Sequence, residues 1–246
     1  MSPPCTLIAT FWPLPPDVST TGPALDQHLI LNLWIAVALF TLAHLILFAG
    51  MVLRRRRESR DQALVEYLPL AAFTILFAFL AIRSERLWAA TRYVGPDLSA
   101  LQIEATGMQF AWYFRYPGRD ANFGRTRPEL IAPGEGNPLG IDAADPRGVD
   151  DFVTSQLVLP AGRQVDLRLH AQDVIHGFFV PAMRLKQNAV PGEDFHIHFT
   201  PTTPGTYAIL CTQLCGLGHY RMTANLQVLS PDDYAKWLAD HEEAAQ

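Results

Sequence analysis

Two membrane-spanning helices joined as a hairpin, followed by an all-β domain closed by one C-terminal helix, is the fold this sequence predicts. Three observations carry it. Residues 29–53, LILNLWIAVALFTLAHLILFAGMVL, hold 25 positions without a formal charge. A second apolar run, LVEYLPLAAFTILFAFLAI at 64–82, follows after a short basic linker. From residue 101 onward the apolar pattern changes to a period of two, as in strands with one buried face.

Taken in order, the first run as a helix spans roughly 37 Å at 1.5 Å per residue, more than the ~30 Å hydrocarbon core requires. The second is shorter and carries Glu66 and Pro69 near its start. Alone it would also fit a buried helix of a soluble protein; beside the first it reads as the return span. Between them, RRRRESRDQ (54–62) concentrates Arg54, Arg55, Arg56, Arg57 and Arg60. Short loops rich in arginine stay on the cytoplasmic side, which predicts both termini and everything after about residue 90 on the periplasmic side. Residues 1–28 are expected to be an extracytoplasmic segment. They lack the basic start and continuous apolar stretch of a cleaved signal, so the first span is expected to serve as its own insertion signal. Cys5 is read as incidental.

The predicted outer domain covers 97–246. Strands are expected at 101–116, 155–160, 164–171, 194–201, 205–211 and 223–229, separated by turns such as PAG (160–162), VPGED (190–194) and TTPGT (202–206). Short strands at this spacing predict a β-sandwich or barrel. Residues 117–151, rich in Gly, Pro and Asp, read as a long surface excursion. Residues 231–245 open with Pro and two acids and predict a closing helix. From residue 97 onward 18 acidic side chains stand against 11 basic ones, a balance of −7. That excludes a nucleic-acid role and suits a basic partner at the membrane's outer face, although a solvated acidic surface fits as well.

The chemistry is concentrated in CTQLCGLGHYRM, residues 211–222. The chain has three cysteines, and two of them, Cys211 and Cys215, lie four apart, followed by His219 and Met222. A helical stripe would use this spacing, but Gly216 and Gly218 interrupt it and a strand-like run leads into it. A disulfide suits the oxidising compartment yet leaves His219 and Met222 unexplained. Zinc would use the thiolates and imidazoles but gives no reason for Met222. Thiolates, imidazole and thioether together form a soft set suited to copper, and two thiolates can bridge two ions that then need a second histidine. His176, in QDVIHGFFVPAMRLKQNAVPG (172–192), is the candidate, although a lone His in such a run is commonly a packed core residue.

These segments resemble cytochrome c oxidase subunit II. CTQLCGLGHYRM is similar to that family's dinuclear copper (CuA) loop, DVIHGFFVPAMRLKQNAVPG to the stretch bearing its first histidine, and GMQFAWYFRY (107–116) to its aromatic segment. The two-helix hairpin followed by a periplasmic cupredoxin-like sandwich is the family's layout. The resemblance implies that Cys211 and Cys215 bridge two coppers, that His176 and His219 each bind one, that Met222 is a weak axial ligand, and that the Gln213 carbonyl serves the other copper. The family usually has Glu where this chain has Gln213, and its carboxylate contributes to a magnesium site at the subunit I interface. Gln213 keeps the carbonyl alone, which puts the magnesium site in question.

The resemblance also implies electron transfer from cytochrome c, or a related donor, to haem in oxidase subunit I, where oxygen is reduced, within a complex of other oxidase subunits and membrane lipid. Phe110 stands where the family's electron-entry Trp is expected, so entry is assigned to Phe110 or Trp112; Tyr113 is a further option, but it and Phe114 read first as strand-face packing residues. Asp173 is expected to accept a hydrogen bond behind the ligands, and Phe178, Phe179 and Leu217 to form an apolar shell. Gln62 falls where the family often has a Glu associated with proton uptake, and Glu66 is assigned no role. His44 is expected to face a partner helix. His196 and His198 are read as surface or packing residues without metal. The competing function is a copper-free structural subunit of a quinol oxidase; a thiol-disulfide protein of thioredoxin type would alternate strands and helices, and nothing here supplies the catalytic domain of a nitrous oxide reductase.

Overall fold

The computed structural model describes residues 14–53 and 62–244. Cys5, the linker arginines Arg54–Arg60 and the Gln62 side chain lie outside the described residues. The chain forms two compact units, one spanning Pro23–Val94 and one combining the residues up to Gly22 with those from Gly95 onward.

The first unit holds α1 (Gly22–Leu53) and α2 (Gln62–Arg92). Both are long and apolar enough to cross a membrane. At 32 residues α1 is about 48 Å long, well beyond the apolar core alone. It starts earlier than predicted, at Gly22, because Pro23 suits a first helical turn and the Ser19 hydroxyl accepts the Gly22 N–H at 2.9 Å. α2 runs past Ile82 to Arg92, since the polar turns RSERLWAATR continue a helix that an apolar window does not register. Large apolar side chains point outward on both helices, Phe40 at 65% and Phe77 at 73% exposure, leaving surfaces that lipid or partner helices would cover. His44 turns to its own helix: its ring Nδ1 lies 2.8 Å from the Phe40 carbonyl.

The second unit is a sandwich, not a barrel. Its strands are β1 (Leu101–Met108), β2 (Ala111–Tyr116), β3 (Phe152–Thr154), β4 (Leu157–Pro160), β5 (Val165–Ala171), β6 (His176–Val180), β7 (Leu185–Ala189), β8 (Phe195–Phe199), β9 (Gly205–Cys211) and β10 (Thr223–Leu229). They form two five-stranded sheets, β3-β2-β1-β5-β8 and β4-β10-β9-β6-β7. Inward-facing Ile103, Ala105, Phe114, Leu167 and Leu169 of the first meet Leu159, Phe178, Val180, Ile209 and Leu226 of the second. The predicted run 101–116 is two antiparallel strands, broken at Gln109–Phe110. β3, β6 and β7 add to the predicted set. HGFFV is buried at four of its five positions, so it shows no polar–apolar alternation to read.

Three peripheral segments complete this unit. Residues 14–21 strap its edge: the Val18 N–H donates to Ala182 O (2.9 Å), Thr202 N–H to Val18 O (2.8 Å), and the Val18 side chain is buried. The 117–151 excursion returns to the outward face of the first sheet, where Arg115 is buried. Its Nε donates to Asp151 (3.0 Å), Nη1 to Glu104 (3.0 Å), and Nη2 to Gly124 O (2.6 Å) and again to Asp151. Helix α3 (Pro231–Ala244) is capped by Ser230, whose hydroxyl accepts the Asp233 N–H and donates to its carboxylate. Its Trp237 lies against Tyr116 and Phe152.

Candidate metal centre

The register of the second sheet brings the first ligands together. Phe178 of β6 pairs with Cys211 of β9, and in a strand alternate residues share a face. His176, two positions before Phe178, therefore projects to the same side as Cys211. A hydrogen bond from Thr212 N–H to Gly177 O (2.9 Å) then carries the chain from β9 into the loop. Gly177 permits this approach, since a Cβ there would lie 2.4 Å from Thr212 Oγ1. At the far end Cys211 N–H donates to Met222 O (3.1 Å), closing residues 212–221 into a tight excursion before β10.

Inside that loop, one ligand atom each from His176, Cys211 and Cys215 lies within 4.8 Å of the others. The two sulfurs are 3.9 Å apart and both thiols are free. Cys215 Sγ is 3.6 Å from His219 Nδ1 and 3.7 Å from Met222 Sδ. Cys211 Sγ is 3.3 Å from the Gln213 carbonyl oxygen, and the rest of Gln213 is exposed. All six residues singled out for metal thus converge on one loop mouth. Burial first, then the adjacent Cys211 thiol, push the Cys215 thiol up to about 11, so metal uptake at neutral pH would displace a proton.

The donor set fits a soft metal on an observation independent of the motif. His176 is fully buried, and its Nε2–H donates to Asp173 Oδ1 at 2.8 Å. That leaves Nδ1 as the acceptor nitrogen, and Nδ1 is buried without a hydrogen-bond partner. A buried, unpaired imidazole lone pair is costly unless something occupies it, and an imidazole fixed by a carboxylate is the usual arrangement behind a metal. Burial works to raise the Asp173 carboxyl, but the Gln109 N–H, the His176 ring and the Val174 N–H outweigh it and hold it below the ordinary carboxylate range.

The turn between β1 and β2 clamps this assembly. The Gln109 N–H donates to Asp173 Oδ2 (2.7 Å), while its side-chain amide donates to the Cys215 carbonyl (2.5 Å). Gln109 is not among the residues the sequence points to; a glutamine before an aromatic carries no local signal of bridging two ligand segments. Next to it Phe110 is half-exposed and lies against the loop, where a Cβ on Gly218 would meet its ring at 2.4 Å.

Of the three residues considered for electron entry, Phe110 is half-exposed beside the loop and Tyr113 is half-buried on the other face of β2 from Trp112. Trp112 is 1% exposed, its ring edge-on to His176 (5.9 Å between centroids) and to Phe178 (5.2 Å), so it walls the site from behind. Phe178 is buried as expected for an apolar shell, whereas Leu217 is 97% exposed and takes no part in one. Its neighbours Leu214 and Tyr220 are exposed too, leaving an apolar rim on the loop. Phe114 lies in the core. His196 pairs with Asp166 at 3.1 Å on the outward face of the first sheet.

The chain is similar to known proteins over most of its length. The family model described as cytochrome C oxidase subunit II, periplasmic domain, matches residues 101–229. The alternative cytochrome c oxidase subunit 2 of Bradyrhizobium diazoefficiens is 33% identical over 242 residues, covering 94% of this chain and 84% of that protein. The cytochrome c oxidase subunit 2 of Thermostichus vulcanus is 30% identical over 263 residues, covering 94% and 79%. Among solved structures, the periplasmic domain of subunit II of cytochrome oxidase of Bradyrhizobium japonicum aligns with a TM-score of 0.46 at 23% identity, over 62% of this chain and 100% of that one.

Proposed function

Because the chain belongs to the cytochrome c oxidase subunit II family, and is thereby an electron-transfer subunit of a membrane oxidase, we propose that it carries the dinuclear copper centre through which such an oxidase is reduced. The observation that supports this best is the buried, unpaired Nδ1 of His176 beside two free thiols. His176, Cys211, Cys215, His219, Met222 and the Gln213 carbonyl are the groups that would hold the ions. When bound, copper supplies one-electron redox chemistry at little structural cost.

The chain's own residues then have definable tasks. Asp173 orients the His176 ring and holds its proton on Nε2, keeping Nδ1 available. Trp112 and Phe178 exclude water behind that ring, and the paired sheets keep both ligand segments rigid. Phe110, at the surface beside the loop, is the contact for the electron donor. A basic cytochrome c or related carrier suits the −7 balance of the outer domain. The acceptor is the haem of oxidase subunit I, in a plasma-membrane complex with both termini and the copper domain on the periplasmic side. Gln213 offers no carboxylate, so no magnesium site is assigned to it.

The test uses the full chain in detergent, reconstituted with copper and followed by metal analysis and electron paramagnetic resonance. Two coppers per chain, with the hyperfine splitting of one unpaired electron shared by both nuclei, is the expected result. A chain that takes up no copper and forms a Cys211–Cys215 disulfide would instead be a copper-free structural subunit.

A further inference from the structure

The outward face of the first sheet carries a second concentration of polar groups, and the 117–151 excursion folds over it. Between the two lies an open cavity of about 650 Å³. Its lining holds Arg115, Arg125, Arg127 and Arg168 but only one carboxylate, Glu104. Four of the outer domain's 11 basic residues and one of its 18 acidic residues therefore line one cavity, against the acidic balance of the whole.

These arginines are unequally satisfied. Arg115 makes four hydrogen bonds, to Glu104, Asp151 and the Gly124 carbonyl. Arg125 and Arg127, from the excursion, share a single carboxylate: their Nε atoms lie 3.5 and 2.9 Å from the same oxygen of Asp142. Arg168, from β5 on the opposite wall, has no carboxylate partner among the described residues. Its guanidinium lies over the Phe123 ring at 5.5 Å, and its Nε is buried without a hydrogen-bond partner. The buried Gln172 Oε1 in the same lining is unpaired as well. On this side three guanidinium groups from two walls meet one carboxylate, and a buried donor and a buried acceptor both lack partners. Such groups cost free energy unless a ligand supplies the missing bonds.

We propose that this cavity binds a small phosphate-bearing anion that bridges Arg168 on the sheet to Arg125 and Arg127 on the excursion. Guanidinium forks match the spread oxygens of a phosphate, and a protonated phosphate or neighbouring hydroxyl can donate to Gln172 Oε1. Phe123, Ile131 and Leu139 supply apolar wall for an organic group, and a bare phosphate leaves most of the volume unfilled. The site shares no residue with the metal ligands, so it stands whether or not copper binds. The anion would fasten the excursion to the sheet.

The experiment is calorimetric titration of the full chain in detergent with inorganic pyrophosphate, alongside hydrogen exchange of residues 123–142. Saturable binding is expected, with slowed exchange across that segment, and Arg168→Gln is expected to weaken it at least about tenfold, the loss of one charge-assisted bond pair. Arg127→Gln, on an exposed side chain, tests the opposite wall and guards against a folding defect in the first variant; it too should weaken binding. No saturable binding up to about 10 mM, a free energy weaker than that of an ordinary specific site, overturns the proposal. Binding that both variants retain at wild-type strength also overturns it, since the anion would then be held elsewhere.

Discussion

Gln109 performs two tasks through two different atoms, and that separation makes its role measurable. Its backbone N–H holds Asp173, which any residue could do, whereas only its side chain reaches the Cys215 carbonyl. Gln109→Leu should therefore leave the Asp173–His176 bond intact and free the cysteine loop. Copper affinity is expected to fall about 10- to 100-fold, the usual cost of losing support behind a ligand. Competition with a copper chelator reads the affinity, and an unchanged value would show that the loop is held by its own hydrogen bonds alone. Phe110 poses a different question, because it is half-exposed at the position where the resemblance leads one to expect an indole. Phe110→Trp is expected to speed oxidation of a soluble cytochrome c without altering copper content. Stopped-flow kinetics measures this, and an unaltered rate removes Phe110 from the entry route.

At the scale of elements, the buried ion cluster decides how the excursion is held. Arg115 and Asp151 have side chains 2% and 0% exposed, and Glu104 joins them from the adjoining strand. Burial raises the Asp151 carboxyl, with the Gly124 N–H and Arg115 opposing it, so the pair is a source of order more than of net stability. Removing only one partner is another matter. Arg115→Leu strands a buried carboxylate and is expected to cost about 3–5 kcal/mol in urea unfolding. Adding Asp151→Asn to that variant should recover part of the loss, which a purely steric effect of leucine would not allow. The two sheets need no such device, since their inward faces are closed by aliphatic and aromatic side chains throughout.

For the whole molecule, the central question is which side of the membrane each unit occupies. The basic linker argues for a cytoplasmic loop and a periplasmic β-domain. A membrane-impermeant thiol reagent applied to intact cells should label a cysteine introduced at Ser155 and leave one at Ser59 unlabelled; the reverse would invert the topology. Much of the architecture is legible in the amino-acid order alone, because its signals are local. A charge-free run of 25 residues, strands of period two and a capped terminal helix each report on residues near one another in the chain. The cysteine loop is legible for the same reason, four of its donors lying within 12 positions. Strand β6 is not, because a strand buried on both faces loses its alternation; β3 is only three residues long, and β7 (LKQNA) is polar at its three central positions. The burial of Trp112, the exposure of Leu217, the strap formed by Val18 and the clamp of Gln109 leave no local trace either. Each depends on which segments the sandwich brings together across tens of residues, and composition along the chain holds no record of that distance. The sequence by itself determined the fold class and singled out the residues proposed as donors. Only the tertiary structure decided which atom of His176 is free to bind and which aromatic faces the solvent, because both follow from strand register and packing between separate segments.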